Sequence, residues 1–249
     1  MAASRFPSFD DLYGYEYHSP ELSTQPNSHN RDLNVYEKPK ILLESFGAAT
    51  VSVLVGLEQQ VFTIHKNLLC EASSYFRAAL SGNFREAKDQ KITMEEEDVT
   101  TFKHFQYWLY TRNLLMSQET KNDIDWNVLT GLFILGEVRG IPHLQNAAID
   151  GIIAKRATSD WTPLDQIRRI YDNTPENSPI RRLFVDIFCN RAHFDDDTWF
   201  GDQSFELYNK EFLFDLSKAF CRLKRNLSTK ITNFEAEAVR SDYYVSTSD

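Results

Sequence analysis

The stretch VFTIHKNLLCEASSYFRAALSG, Val61 to Gly82, changes its period halfway along. Val61, Phe62 and Ile64 favour a strand, and His65-Lys66 interrupts them. Leu68, Leu69, Ala72, Tyr75, Phe76, Ala79 and Leu80 then return at helical spacing. The pattern predicts a strand-to-helix joint, with short helices over Asn67–Glu71 and Ser73–Leu80 separated at Ser73-Ser74 and closed by Gly82. His65, Cys70 and Glu71 lie close enough in sequence to raise the question of catalysis. A Cys–His pair needs a third group that orients the imidazole, and no neighbouring residue supplies one, so Cys70 reads as a small apolar side chain.

Upstream, ATVSVLVGLEQQ reads as the first arm of a hairpin. Val51, Val53 and Val55 alternate with Ser52 and Leu54, the turn falls at Gly56 to Gln59, and the second arm is Val61–Lys66. KILLESFG, Lys40 to Gly47, predicts a short helix ahead of it. Downstream, KITMEE (Lys91–Glu96) predicts a third strand, and NLLM (Asn113–Met116) a short edge strand. Asp98 is placed to cap a helix whose Phe102, Phe105 and Leu109 share one face. Asp125 caps another that stops at Gly140, and Pro142 opens the next. Thr162-Pro163 and Ser178-Pro179 repeat that start signal, the second ahead of the apolar face Ile180, Leu183, Phe184, Ile187 and Phe188. A last helix is expected near Asn209–Asn226, followed by a polar, frayed end. Strands come early and helices dominate later, so the fold class is α+β: a small β-sheet covered by α-helices, with an appended C-terminal helical region. The expected division is a disordered arm over 1–40, a domain over 41–156, a helical extension over 157–228 and a polar tail over 229–249.

Composition narrows the function. The 249 residues are 42% hydrophobic, with 18 Phe, and carry a net charge of −9. That suffices for a sizeable core and disfavours attraction to nucleic acid or to an anionic membrane. No apolar leader opens the sequence, and the uncharged stretch Ser45–Leu57 is too short to span a bilayer. The three cysteines, Cys70, Cys189 and Cys221, are widely spaced within apolar helical patterns, as expected of reduced thiols in the cytoplasm or nucleus. Cys189 and His193 have i, i+4 spacing and, with Cys221, define the alternative reading: a metal-binding or enzymatic centre in the C-terminal helices. A full zinc site needs further ligands that the spacing does not supply. In DDDTWFGD (Asp195–Asp202), Phe200 and Leu207 occupy calcium-ligand positions, which excludes an EF-hand loop. No phosphate-cradling glycine motif occurs, so no cofactor is expected.

Taken together, VSVLVG, FTIHK, LL…SSYF, NFREA and FKHFQYWLYT closely resemble the BTB/POZ domain family over about Phe46–Thr111, and more loosely to Arg156. IRRIYDNTPENSPIRRLFVDIF resembles the helical extension of fungal BTB proteins. The resemblance implies a non-enzymatic protein–protein interaction module, acting as a homodimer, a partner-recruiting scaffold or an adaptor for a cullin-type ubiquitin ligase. It places a self-association surface at Ile41, Leu42, Leu43 and Phe46, and a cullin-like partner surface at Met94, Glu96, Asp98, Lys103 and Tyr107. His65-Lys66 becomes a structural strand end. Thr50 stands where many members carry the Asp of a corepressor-type groove, which argues against that groove here. The apolar-x-acidic signal of cullin adaptors fits only at Met94-x-Glu96, a little early.

Overall fold

The computed structural model describes residues 46–116, 123–158, 164–189, 208–225 and 240–247. The N-terminal arm, the Thr162-Pro163 start signal, His193 and the acidic run at Asp195–Asp202 lie outside them. A three-stranded sheet opens the fold. β1 (Thr50–Val55) lies between β2 (Gln60–His65), which is antiparallel to it, and β3 (Lys91–Met94), which is parallel. The register pairs Val53 with Phe62 on one side and Ile92 on the other, and Val51 with Ile64. The alternation therefore puts Val51, Val53, Val55, Phe62, Ile64, Ile92 and Met94 on one buried face.

Parallel pairing of β3 with β1 requires a crossover. That crossover carries α1 (Lys66–Ala72), α2 (Ser74–Ala79) and α3 (Arg85–Asp89). Ser73 separates the first two: its extended backbone breaks the helix, and its hydroxyl accepts from the Phe76 amide at 3.1 Å. The third strand ends at Met94, earlier than its pattern suggests. Glu97 N–H turns back to Met94 O at 3.3 Å, bringing Asp98 to the start of the next helix. Asp98 caps α4 (Val99–Thr111) by accepting from Thr101 N–H at 2.7 Å.

The expected edge strand at Asn113–Met116 is absent. α4 ends in the left-handed conformation at Arg112 (φ 56°), and the Thr111 and Asn113 side-chain oxygens take the Asn113 and Leu115 amides at 3.1 Å each. Those local bonds bend the chain and leave no ladder to form.

α5 (Trp126–Arg139) is capped by Asp125 and buried on nearly all sides. α4, α6 (Pro142–Thr158) and α7 (Asp165–Asn173) all pack on it. Close approach explains Gly136: a Cβ there would lie 2.7 Å from Gln145 Cγ and 3.1 Å from the Ile141 carbonyl. α8 (Pro179–Cys189) and α9 (Lys210–Arg225) complete nine α-helices among the described residues. Trp126 meets Phe184 edge to face, and Phe212 of α9 packs against Tyr171 and Phe188. One continuous cluster of buried side chains runs from Val51 to Tyr243. The end of the chain departs from the frayed tail expected of it: Tyr243 is 6% exposed, in a 3₁₀ turn (Ser241–Tyr243) against α8.

Phe102 is fully buried between Phe62 and Phe105, whereas Phe84 is 61% exposed. Phe102→Ala should therefore cost roughly 3–5 kcal/mol in denaturant unfolding, while Phe84→Ala should stay within about 0.5 kcal/mol of the parent. Equal effects would contradict the placement of α4.

Candidate interaction site

β2 ends at His65, whose backbone also begins α1. Its amide donates to the Tyr110 hydroxyl at 3.2 Å, and its Nδ1 lies 2.8 Å from the same oxygen. The one hydroxyl thus meets both the amide and the ring nitrogen of His65. The sequence showed no group able to orient His65. Tyr110, 45 residues away, does so. Phe46 completes the cluster, stacked on His65 at 5.3 Å and edge-on to Tyr110 at 5.8 Å. Gly47 (φ 66°) then turns the chain so closely past Asn67 that a Cβ would lie 2.7 Å from its Nδ2. The segment entering β1 is thus clamped at the far end of the hairpin from its turn. Of the four proposed self-association residues, Phe46 is half-buried in this clamp, and Ile41, Leu42 and Leu43 lie outside the described residues.

The same geometry bears on the thiol. Cys70 Sγ faces the Phe76 carbonyl at 3.9 Å. Burial raises its pKa, against the smaller opposing pull of Lys66 and Arg77. His65 is engaged by Tyr110 rather than poised as a base.

The five residues of the cullin-like surface divide. Met94 is 3% exposed and belongs to the core beneath the sheet, so its side chain is not offered to a partner. Asp98 is committed to capping α4, where Oδ2 also accepts from the Thr101 hydroxyl at 3.0 Å. Glu96 and Lys103 are exposed, and Tyr107, one turn beyond Lys103, is half-buried. Glu97, between Glu96 and Asp98, points inward. Its carboxylate meets Arg139 Nη2 at 3.4 Å, with both side chains about one-fifth exposed. Burial raises the Glu97 pKa, and Arg139 and then Arg169 pull it back. Arg139 also lies over the Tyr75 ring at 4.6 Å, and its carbonyl accepts from Ser73 Oγ at 2.5 Å. The acidic turn is therefore a fixed surface, braced from α5.

The C-terminal thiols sit in unlike surroundings. Cys189 is half-buried at the end of α8, and burial, with Asp186 adding to it, pushes its thiol up to about 12. Cys221 is exposed on α9. Among the described residues no group of three or more His, Cys, Asp or Glu side chains could hold a metal ion. No helix among them is long and apolar enough to cross a membrane.

Residues 43–125 match the family model of the BTB/POZ domain. No curated protein matches the chain.

A thiolate is the reactive form of cysteine, and burial opposes it. With a thiol-alkylating reagent at pH 8, mass spectrometry of the native protein should show Cys221 modified first, and Cys70 and Cys189 only after unfolding. Rapid native labelling of Cys189 would reveal an activated thiol and revive the alternative reading.

Proposed function

We propose that this chain, which carries a BTB/POZ domain over residues 43–125, is a non-enzymatic protein-interaction module that self-associates through the segment entering β1. The clamp of Phe46 on His65 and Tyr110 supports this reading most directly. It fixes Phe46 against β2 and α4, three positions after the apolar residues Ile41, Leu42 and Leu43 of the sequence. A seven-residue apolar segment is too short to be a stable helix alone and needs a cover. In a two-fold dimer the same residues are buried on both sides, so one segment contributes twice. The dispersed thiols fit a reducing compartment, the cytoplasm or the nucleus.

A cullin-type scaffold is the partner class we propose for the second surface, with Glu96, Lys103 and Tyr107 as its contacts. The braced Glu97–Arg139 pair favours it, because a rigid turn loses little entropy on binding. The buried Met94 makes no contact in that arrangement.

Light scattering at micromolar concentration tests the first surface. The wild type should have the mass of two chains, and Leu42→Glu/Phe46→Glu that of one. A wild-type mass of one chain at every concentration rejects self-association, and a dimer that survives both charges puts the interface elsewhere. For the second surface, Glu96→Lys/Lys103→Glu should lose capture of a purified cullin N-terminal domain by at least tenfold while leaving the mass unchanged. If the wild type shows no capture, the adaptor reading fails and the module reading stands.

A further inference from the structure

α6 and α8 each present two polar side chains one turn apart: Asn146 and Asp150 on α6, Arg182 and Asp186 on α8. All four are engaged by residues 240–247. Asn146, 5% exposed, takes both backbone groups of Val245: its Oδ1 accepts the Val245 N–H at 2.7 Å, and its Nδ2 donates to the Val245 carbonyl at 3.0 Å. This pairing reads an extended backbone and not a side chain, as a neighbouring strand would. Tyr244 OH donates to Asp150 Oδ1 at 2.6 Å, and Tyr243 OH to Asp186 Oδ2 at 2.8 Å. Arg182 Nη2 donates to the Asp242 carbonyl at 3.1 Å, and Arg240 Nη1 approaches Asp150 Oδ1 at 3.8 Å. Apolar contact comes from Tyr243, with Tyr244 and Val245 packed beside the core.

We infer that the α6–α8 groove is a peptide-binding site for segments that pass from a 3₁₀ turn into extended chain at two consecutive unmodified tyrosines followed by a small aliphatic residue, occupied in this structure by the chain's own residues 240–247. Two features separate it from an ordinary core contact. The groove floor is polar: Asp150, Arg182 and Asp186 would be hydrated, not left as bare apolar surface, if the occupant departed. The occupant is held by the backbone of Val245 and Asp242, by the tips of two tyrosines and by the buried Tyr243 ring, as an anchored peptide is. The recognition is charge-selective. A phosphate on either tyrosine would set about two negative charges against Asp150 or Asp186, where a hydroxyl donor is needed. A partner's segment reaches the groove by displacing residues 240–247, which compete from within the same chain.

The test uses the full chain and a fluorescent peptide, Arg240 to Asp249, measured by polarisation. Tyr243→Ala/Tyr244→Ala in the chain removes the internal competitor and should bind the peptide with a micromolar dissociation constant, at least tenfold more tightly than the wild type. Adding Asn146→Ala should weaken that binding at least tenfold, and a peptide phosphorylated at both tyrosines should not bind. Hydrogen exchange on the wild type supplies an independent reading: the Val245 amide should exchange by local opening, at least a hundredfold faster than the core amides of α6. The inference is overturned if the folded double variant fails to bind the peptide saturably. It is also overturned if binding ignores Asn146→Ala and the phosphates, if the double variant loses its fold, or if Val245 exchanges only with the core. A wild-type dimer that disappears in Tyr243→Ala/Tyr244→Ala would assign the groove to the tail of a second copy, and would overturn the occupancy in cis.

Discussion

The aromatic column of α4 is the contact on which the other elements depend. Phe102 meets Phe62 of the sheet at 4.8 Å, Phe105 meets Phe76 of α2 at 6.3 Å, and Trp108 continues the column at 6.3 Å from Phe105. The i, i+3 spacing that aligns these rings also directs them to two different layers, the sheet and the helical crossover. Strands this short give few ladder bonds, and a three-stranded sheet with one open face is marginal alone. Burial of large rings on that face supplies the missing stabilisation, and it fixes register too, because a one-residue slip would move Phe62 and Ile64 to the solvent side.

The helical region is joined to this core by different means. α5 is shared, and polar bonds, several of them buried, help dock α7–α9. Thr130 Oγ1 donates to Gln166 Oε1 at 2.6 Å, and Arg169 donates to the Asn127 carbonyl at 2.8 Å. Arg181 is 5% exposed. It spreads its guanidinium over the Tyr171 carbonyl at 2.6 Å, Thr174 and the Glu211 carboxylate at 2.7 Å, beneath the Tyr171 ring at 4.4 Å. An arginine in that place satisfies the carbonyls that end α7 and neutralises an acid of α9 at once. Apolar packing would hold the helices together in several registers, whereas this hydrogen-bond set admits one. The appended helices are therefore fixed to the domain as a continuous body from Val51 onward.

What could be read from the sequence was local. The hairpin turn, the caps at Asp98 and Asp125, the stop at Gly140 and the start at Pro179 each depend on residues within a few positions of one another. The Ser73 break was visible for the same reason. The readings that failed needed contacts across long separations. Tyr110 orients His65 from 45 residues away, and Val245 meets Asn146 across 99. Nothing near Arg181 in the sequence announces the helix end it serves, because its partners Tyr171 and Glu211 lie 10 and 30 residues away. The third strand stopped short and the supposed edge strand did not form, because Glu97 N–H turns back to Met94 and the Asn113 side chain takes the Leu115 amide. Of the proposed partner residues, Met94 was misassigned because a period of two along β3 puts it, like Ile92, on the buried face. That alternation was present in KITM and was outweighed by the family pattern. The tail offered one signal, a Tyr-Tyr-Val run too apolar for a fully solvated end.

The two ends of the described body are attached in related ways, and the physical terms show why such attachments suit a protein that works by binding. Phe46 is held by ring contacts and enters β1 directly, so its ordering is shared with the strand it precedes. Residues 240–247 have no such help. Ordering eight residues costs on the order of 1–2 kcal/mol each. The two tyrosine hydroxyls on carboxylates return about 1.5–3 kcal/mol each, the Asn146 pair about 0.5–1.5 each, and the buried rings most of the remainder. Gain and cost are of the same order, so docking of the segment sits near balance. Asp150 and Asp186 tilt that balance with pH. Burial raises both pKa values, and the tyrosine bonds only partly reverse it. Stabilisation from a raised carboxyl is present below its unfolded pKa and is lost as pH rises through the folded value. Above the folded values both groups are charged in surroundings that favour the neutral form. Water reaching them on release of the segment recovers part of that cost, which makes departure easier than the number of hydrogen bonds alone would suggest.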